Sequence, residues 1–380
     1  MEFIDLKAQY QALKEEIDEA IQGVLNHGGF IMGKEVSELE AQLKEYVGAK
    51  YCVSCANGTD AMSMVLMAWD IKEGDAVFVP SFTFMSTSEV VSLRGATPVF
   101  VDIDIDTFNI DVDSLESTVK KVIAEGKLTP RVIIPVDLFG LPADYEKLLP
   151  LAKKYNLSIL EDGAQGFGGA INGKKACSFG EAATTSFFPA KPLGCYGDGG
   201  AIFTDDEELY SILASIRVHG KGKDKYDNVR VGLNSRIDTL QAAILLLKLK
   251  AFREHELTAR QKWGELYASL LEDIVKTPTI PNGYTSSFAQ YTILLDNEEQ
   301  RDALQKKLKE NNIPSMVYYP KPLHLQSVYC GLGYTEGSLP QAEKASKCVL
   351  SLPMHPYLNE SEINNVVNII KTFVSNKYIK

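Results

Sequence analysis

From about residue 50 onward, short β-branched runs alternate with stretches whose apolar positions recur at helical spacing. Tyr51-Cys-Val-Ser, Ala76-Val-Phe-Val, Pro98-Val-Phe-Val-Asp, Arg131-Val-Ile-Ile-Pro-Val and Ser158-Ile-Leu-Glu-Asp have the composition of strands. Residues 59–70, 84–94, 112–125 and 143–155 lie between them and read as helices. Further short strands are expected near Thr184–Phe188 and Gly200–Thr204. This alternation predicts an α/β fold with a mostly parallel sheet covered on both faces. Ahead of it, two amphipathic helices, about 7–26 and 35–46, flank Gly28-Gly29. Behind it, a helical run from Asp238 to about Leu271 leads into the breaker-rich segment 278–283. A strand (289–295), a helix (298–311), a strand (315–319) and a helix (360–374) follow. The pattern divides the chain into a large domain, residues 1–250, and a smaller α+β domain, residues 251–380.

Composition narrows the class. Hydrophobic residues make up 45% of the 380 and charged residues 23%, as in a soluble globular protein, which excludes collagen-like, disordered and disulfide-scaffold chains. The net charge of −11, with no dense Lys/Arg run, argues against nucleic acid as a partner. It leaves room for a small anionic substrate, which a few cations and backbone amides can hold. No run approaches the ~18 apolar residues of a membrane span, and the opening Met-Glu-Phe-Ile-Asp is unlike a signal peptide. Six scattered cysteines make no disulfide framework, so a reduced, cytoplasmic protein is expected.

The segment from Thr185 to Thr204 carries the most chemistry. Lys191 sits between Pro189 and Pro192, past a β-rich run and ahead of a Gly-rich turn, on irregular backbone. A lysine so held can be desolvated, which lowers its pKa and makes the amine a Schiff-base nucleophile; a plain surface lysine is the commoner case. Asp162, in Glu161-Asp-Gly-Ala-Gln165, ends an apolar strand at the sheet edge where ligands bind. A carboxylate buried there needs a cation, and a protonated pyridine nitrogen would serve, as in pyridoxal-phosphate enzymes. A helix N-cap is an equally good reading of that aspartate. Asn57-Gly58-Thr59-Asp60 follows the first strand and opens a helix, so its free amides form a potential phosphate cup, to which Ser186 could add a hydroxyl.

Other patterns carry less. Gly28 to Lys34 resembles a nucleotide-binding loop, but Glu35 replaces the required hydroxyl residue and no strand precedes it. Asp102, Asp104 and Asp106 alternate as in a calcium loop, yet Thr107 replaces the essential glycine and Asp113 the closing glutamate, which leaves strand-end aspartates. Cys52 and Cys55 fall within a strand, and no His/Cys cluster has metal spacing, so no metal is expected. A nicotinamide enzyme would need a third glycine after Gly197-Asp-Gly199.

Together these residues resemble the DegT-like sugar-nucleotide aminotransferases, which are fold-type-I pyridoxal-phosphate enzymes. The likeness runs from Phe3-Ile-Asp-Leu to Ser351-Leu-Pro-Met-His-Pro. Its most specific motifs are Cys55-Ala-Asn-Gly-Thr-Asp-Ala, Pro80-Ser-Phe-Thr-Phe-Met-Ser-Thr, Glu161-Asp-Gly-Ala-Gln, the Lys191 segment and Gly232-Leu-Asn-Ser-Arg236. The resemblance implies the aspartate-aminotransferase-like fold, with a mostly parallel seven-stranded sheet, and pyridoxal 5′-phosphate as cofactor, passing through pyridoxamine 5′-phosphate. It implies that Lys191 binds the cofactor and moves the proton, that Asp162 pairs with the ring nitrogen and that Gln165 lies near the ring hydroxyl. Phe84 would stack on the ring, while Gly58, Thr59 and Ser186 hold the phosphate. Asn234 would reach that phosphate from the partner in a homodimer with shared sites. Arg236, Tyr318, Tyr319 and His324 are candidates for contacts to the sugar or diphosphate.

Within the family the chain looks most like the subgroup that aminates UDP-2-acetamido-2-deoxy-3-keto-D-glucuronate with L-glutamate, releasing 2-oxoglutarate, for bacterial surface polysaccharides. Other UDP- or dTDP-keto sugars are the alternative substrates. Two positions depart from the pattern: Tyr318 precedes Tyr319-Pro320 where the subgroup carries His, and Asp137 stands where the family often has His. A dehydratase of the same fold would carry His in place of Lys191, and a non-catalytic cofactor-binding regulator would not need the Lys191/Asp162 pair.

Overall fold

The computed structural model describes residues 1–224 and 226–375. Seven strands form one sheet: β1 (Tyr51–Cys55), β2 (Asp75–Pro80), β3 (Thr97–Val101), β4 (Thr129–Ile133), β5 (Ser158–Asp162), β6 (Ala182–Ser186) and β7 (Gly200–Thr204). Their spatial order is β1-β7-β6-β5-β4-β2-β3. All pairings are parallel except those of β7, which runs antiparallel to both β1 and β6. Every position of β2 is buried, as a strand covered on both faces requires. Helices α4 (Gly58–Ala68), α5 (Ser86–Leu93), α6 (Val112–Glu125) and α7 (Tyr145–Tyr155) are the crossovers. The architecture read from the sequence is thus the one observed.

Local details differ. The first expected helix breaks at Leu13 into α1 (Leu6–Ala12) and α2 (Lys14–His27), and α3 spans Lys34–Val47. After α8 (Glu207–Ile216), the long run is α9 (Thr239–Ala251), a π turn at Phe252–Glu256, and α10 (Leu257–Leu271). Helix α9 buries Ala242, Leu245 and Leu249 against Val36, Leu39 and Leu43 of α3. Beyond the π turn, Tyr267 and Leu271 join a separate core with Ile293, Leu350, Val366 and Ile370. Glu256, in the π turn, is buried and accepts hydrogen bonds from Gln9 Nε2 (2.9 Å) and Tyr357 OH (2.7 Å).

The smaller sheet corrects one expectation. The chain around residues 315–319 is not a strand; it makes a single bridge, Met316 to Ser351. The partner of β8 (Tyr291–Leu294) is instead β9 (Val349–Leu352), which pairs antiparallel to it. Helices α11 (Glu298–Glu310) and α13 (Glu360–Ser375) were anticipated, whereas α12 (Pro340–Cys348) was not.

Helix α12 has no side-chain cap of its own, and Asp102 supplies one from the end of β3. Its Oδ2 accepts from Gln341 N at 3.0 Å and its Oδ1 from Ala342 N at 2.8 Å. The calcium-like run of aspartates therefore contains a helix cap. Asp102→Ala is expected to cost about 1–2 kcal/mol of stability in a denaturant melt, with no response to added calcium in either form. A calcium-dependent difference would contradict this role.

Candidate active site

Because the strands around it run parallel, the loops that leave β1, β2, β4, β5 and β6 emerge at one edge of the sheet. They surround a cavity of about 690 Å³, lined by Gly58, Thr59, Phe84, Asp162, Gln165, Ser186, Lys191, Tyr318 and Tyr319 among others. Those nine sequence-derived candidates come together; Asn234, Arg236 and His324 are not part of this chain's lining.

One wall is built for an anion. Asn57 caps α4 with its side chain, accepting from Asp60 N at 2.7 Å. The amides of Gly58 and Thr59, in the first turn, have no partner within the helix. A Cβ at Gly58 would stand 2.8 Å from the Cβ of Ser186, so only glycine lets the helix end abut that hydroxyl. Amides, hydroxyl and helix dipole converge there, which suits a phosphate.

At the opposite side Asp162 is buried and doubly bonded. Its Oδ2 accepts from Thr87 Oγ1 at 2.9 Å and its Oδ1 from Ala164 N at 3.2 Å. Burial raises the Asp162 pKa, and the bonds from Thr87 and Ala164 together with the charge of Lys191 oppose that rise. Burial lowers the Lys191 pKa, with Asp162 opposing. The amine is thus pushed toward the neutral, nucleophilic form beside a carboxylate able to hold a cationic nitrogen.

Gln165 bridges two walls. Its Oε1 accepts from Phe139 N at 2.7 Å, and its Nε2 donates to Tyr319 OH at 3.1 Å, leaving one amide hydrogen for the cavity. Tyr319 follows Tyr318 through a cis peptide bond, and burial raises the pKa of its phenol, so it enters as a neutral donor. The Phe84 and Tyr319 rings stand 6.3 Å apart, centroid to centroid.

His324 does not reach the cavity as expected. It is buried, with Nδ1 2.6 Å from Ser81 Oγ and Nε2 3.1 Å from Glu343 Oε1. Both ring nitrogens are spent on protein, Nδ1 tying the segment behind Tyr319 to the loop after β2 and Nε2 tying it to α12. Asn234 and Arg236 hydrogen-bond each other, Nη2 to Oδ1 at 2.5 Å. Sequence reasoning missed Thr83, Thr87 and Gln290. Thr83 and Thr87 belong to the quoted Pro80 motif, where only Phe84 received a role. Gln290 lines the cavity with its buried Oε1 unpartnered among the described residues.

Asp137 and Glu161 form a buried pair behind the site. Asp137 Oδ1 accepts from Ala143 N (3.0 Å) and Tyr145 OH (2.9 Å), while Glu161 accepts from the amides of Cys177 and Phe179. Burial pushes Asp137 up to about 7, and burial together with the Asp137 charge pushes Glu161 well above the carboxylate range, so the pair retains a proton. Raised folded-state pKa values mean that this stability is complete at low pH and is lost as pH rises through about 7. Asp137→Asn, which keeps the Oδ1 acceptor, should flatten the fall in Tm between about pH 4 and pH 7. An unchanged fall would remove the pair from that role.

The fold and the site define a pyridoxal-phosphate aminotransferase. The chain belongs to the DegT/DnrJ/EryC1/StrS aminotransferase family, whose model matches residues 11–371. It is 48% identical over 366 residues (96% of this chain, 97% of the relative) to the UDP-2-acetamido-2-deoxy-3-oxo-D-glucuronate aminotransferase of Pseudomonas aeruginosa. It is 45% identical, with 97% of each chain covered, to a pleiotropic regulatory protein of Geobacillus stearothermophilus. The crystal structure of a family aminotransferase from Brucella abortus superposes with a TM-score of 0.95 at 48% identity, covering 98% of this chain and 99% of that one. A Bacillus subtilis relative, NtdA, was solved with bound PMP; it superposes at 0.87 with 29% identity, covering 98% of this chain and 83% of that one. Among the described residues no helix is long and apolar enough to cross a membrane.

Proposed function

We propose that this aminotransferase moves the amino group of L-glutamate to the 3-keto group of UDP-2-acetamido-2-deoxy-3-keto-D-glucuronate. The product would supply a diamino sugar for bacterial surface polysaccharide such as O-antigen, and the enzyme would work in the cytoplasm as a homodimer. The observation that carries the chemistry is the meeting of Lys191, Asp162 and the Gly58–Ser186 cup in one cavity. The choice of sugar rests on the similarity to the Pseudomonas enzyme.

When bound, pyridoxal phosphate supplies an aldehyde that takes up the amino group and a ring that accepts the electrons freed at the substrate carbon. The chain does the rest. Gly58, Thr59 and Ser186 would hold the phosphate, and Phe84 would cover the ring face. Asp162 would keep the ring nitrogen protonated, and the free amide hydrogen of Gln165 would be available to the ring hydroxyl. The Lys191 amine, lowered in pKa by burial, is the base that takes the proton from the amino-acid carbon and returns it elsewhere. Tyr318 and Tyr319 form the wall toward the sugar.

The homodimer reading rests on the residues outside this cavity. Asn234 and Arg236 would approach a neighbour's phosphate and substrate, and the exposed Ile31, Val229 and Val231 would be covered by the same contact. The division at residues 250–251 belongs to this reading too, the π turn being the change of body. A second reading, amination of another UDP- or dTDP-linked 3- or 4-keto sugar, is favoured by Tyr318, where the expected subgroup carries His.

Incubation with glutamate should convert bound cofactor from its aldehyde to its amine absorbance. Lys191→Ala should lower turnover by at least about 100-fold. Mass and NMR analysis of products from a panel of 3-keto and 4-keto nucleotide sugars would identify the acceptor. An absorbance unmoved by glutamate would indicate a cofactor-binding protein without turnover, and a 4-amino product would favour the second reading.

A further inference from the structure

We infer that Thr87 is a positioning residue for the reaction: its hydroxyl holds the Asp162 carboxylate as an acceptor facing the cavity, so that the cofactor's ring nitrogen keeps its proton. This rests on the assignment of Asp162 to that nitrogen.

The geometry is specific. Thr87 has no exposed surface, and its Oγ1 lies 2.9 Å from Asp162 Oδ2. Water therefore cannot replace the bond if the hydroxyl is removed. Thr83 Oγ1, from the cavity lining, lies 3.3 Å from the same Thr87 oxygen. A carboxylate only accepts, so the single hydroxyl hydrogen of Thr87 goes to Asp162, and the hydrogen between the threonines must come from Thr83. The result is a directed chain, Thr83 to Thr87 to Asp162, in which each donation strengthens the next. The other carboxylate oxygen, Oδ1, accepts from Ala164 N, so among the described residues Thr87 supplies one of two hydrogen bonds that favour the charged form.

Thr87 also fixes the ring-stacking residue. Its own amide donates to the Phe84 carbonyl at 3.3 Å in the turn that opens α5. One turn of helix thereby sets both the group on the cofactor's nitrogen and the group on its face. The titratable groups around Asp162 are Lys191 across the cavity, Tyr319 beside Gln165, and Asp137 and Cys177 behind the strand. None of them donates to Oδ2, so none substitutes for Thr87.

The test is a double-mutant cycle on the full-length enzyme with Thr87→Val, Thr87→Ser and Asp162→Asn. Two quantities are read: the dissociation constant of pyridoxamine phosphate by intrinsic fluorescence, and the pH profile of the glutamate half-reaction. Thr87→Val keeps the side-chain shape and the amide, and it is expected to weaken cofactor binding about 10- to 100-fold, the range for a lost hydrogen bond to a charged group. It should also move the acid limb of the profile to higher pH, because removing a donor to the carboxylate raises its pKa. Thr87→Ser should restore both. In the Asp162→Asn background, Thr87→Val should change binding by less than about 2-fold, since the charge it serves is gone. An unaltered profile and affinity in Thr87→Val, a loss of the same size in the Asp162→Asn background, or a failure of serine to rescue would overturn the proposal. If Asp162→Asn by itself left affinity and rate at wild-type values, the assignment of Asp162 would fail, and this inference with it.

Discussion

A carboxylate at the dry end of a β-strand stays charged only where donors and a counter-charge meet it, and this requirement organises the active-site edge. Asp162 needs a hydroxyl from α5, an amide from its own turn and a cation in the cavity. Helix α5 is in place because β2 and β3 pair in parallel and need a crossover between them. Lys191 is in place because β6 and β7 lie side by side and carry the connecting segment past the strand end. Displacing any of these supports would leave either a bare charge inside the protein or a neutral acid unable to hold a cationic nitrogen.

Much of this was readable from residue order. Parallel strands buried on both faces leave a strong alternation of apolar runs and amphipathic stretches, and most of the candidate residues that line the cavity fall near strand ends where the fold concentrates them. What escaped was held by contacts between distant segments. Helix α12 starts without a local cap because Asp102 provides one from more than two hundred residues away in sequence. The chain at 315–319 has the composition of a strand, but β8 is paired by Val349–Leu352, and the Met316 segment is left with one bridge.

The histidine expected at the substrate shows the same limit. His324 has the residue type and the sequence neighbourhood of a ligand contact, yet both its nitrogens face protein. Periodicity cannot report that, because the partners, Ser81 and Glu343, come from the loop after β2 and from α12. Thr87 failed in the opposite direction. A threonine in an apolar helix start reads as packing, and only its distance to Asp162 reveals its hydrogen bond to a buried carboxylate.

Glu256 has a consequence of another kind. Gln9 and Tyr357 both donate to this one buried carboxylate, so an early helix and a late loop are fastened together inside the π turn. During synthesis the Glu256 carboxylate must wait for this second donor until residue 357 has been made. A clipped form beginning after Gln9 would keep every residue that lines the cavity and still take one of the donors from Glu256, so the first helix fastens the π turn from outside the site.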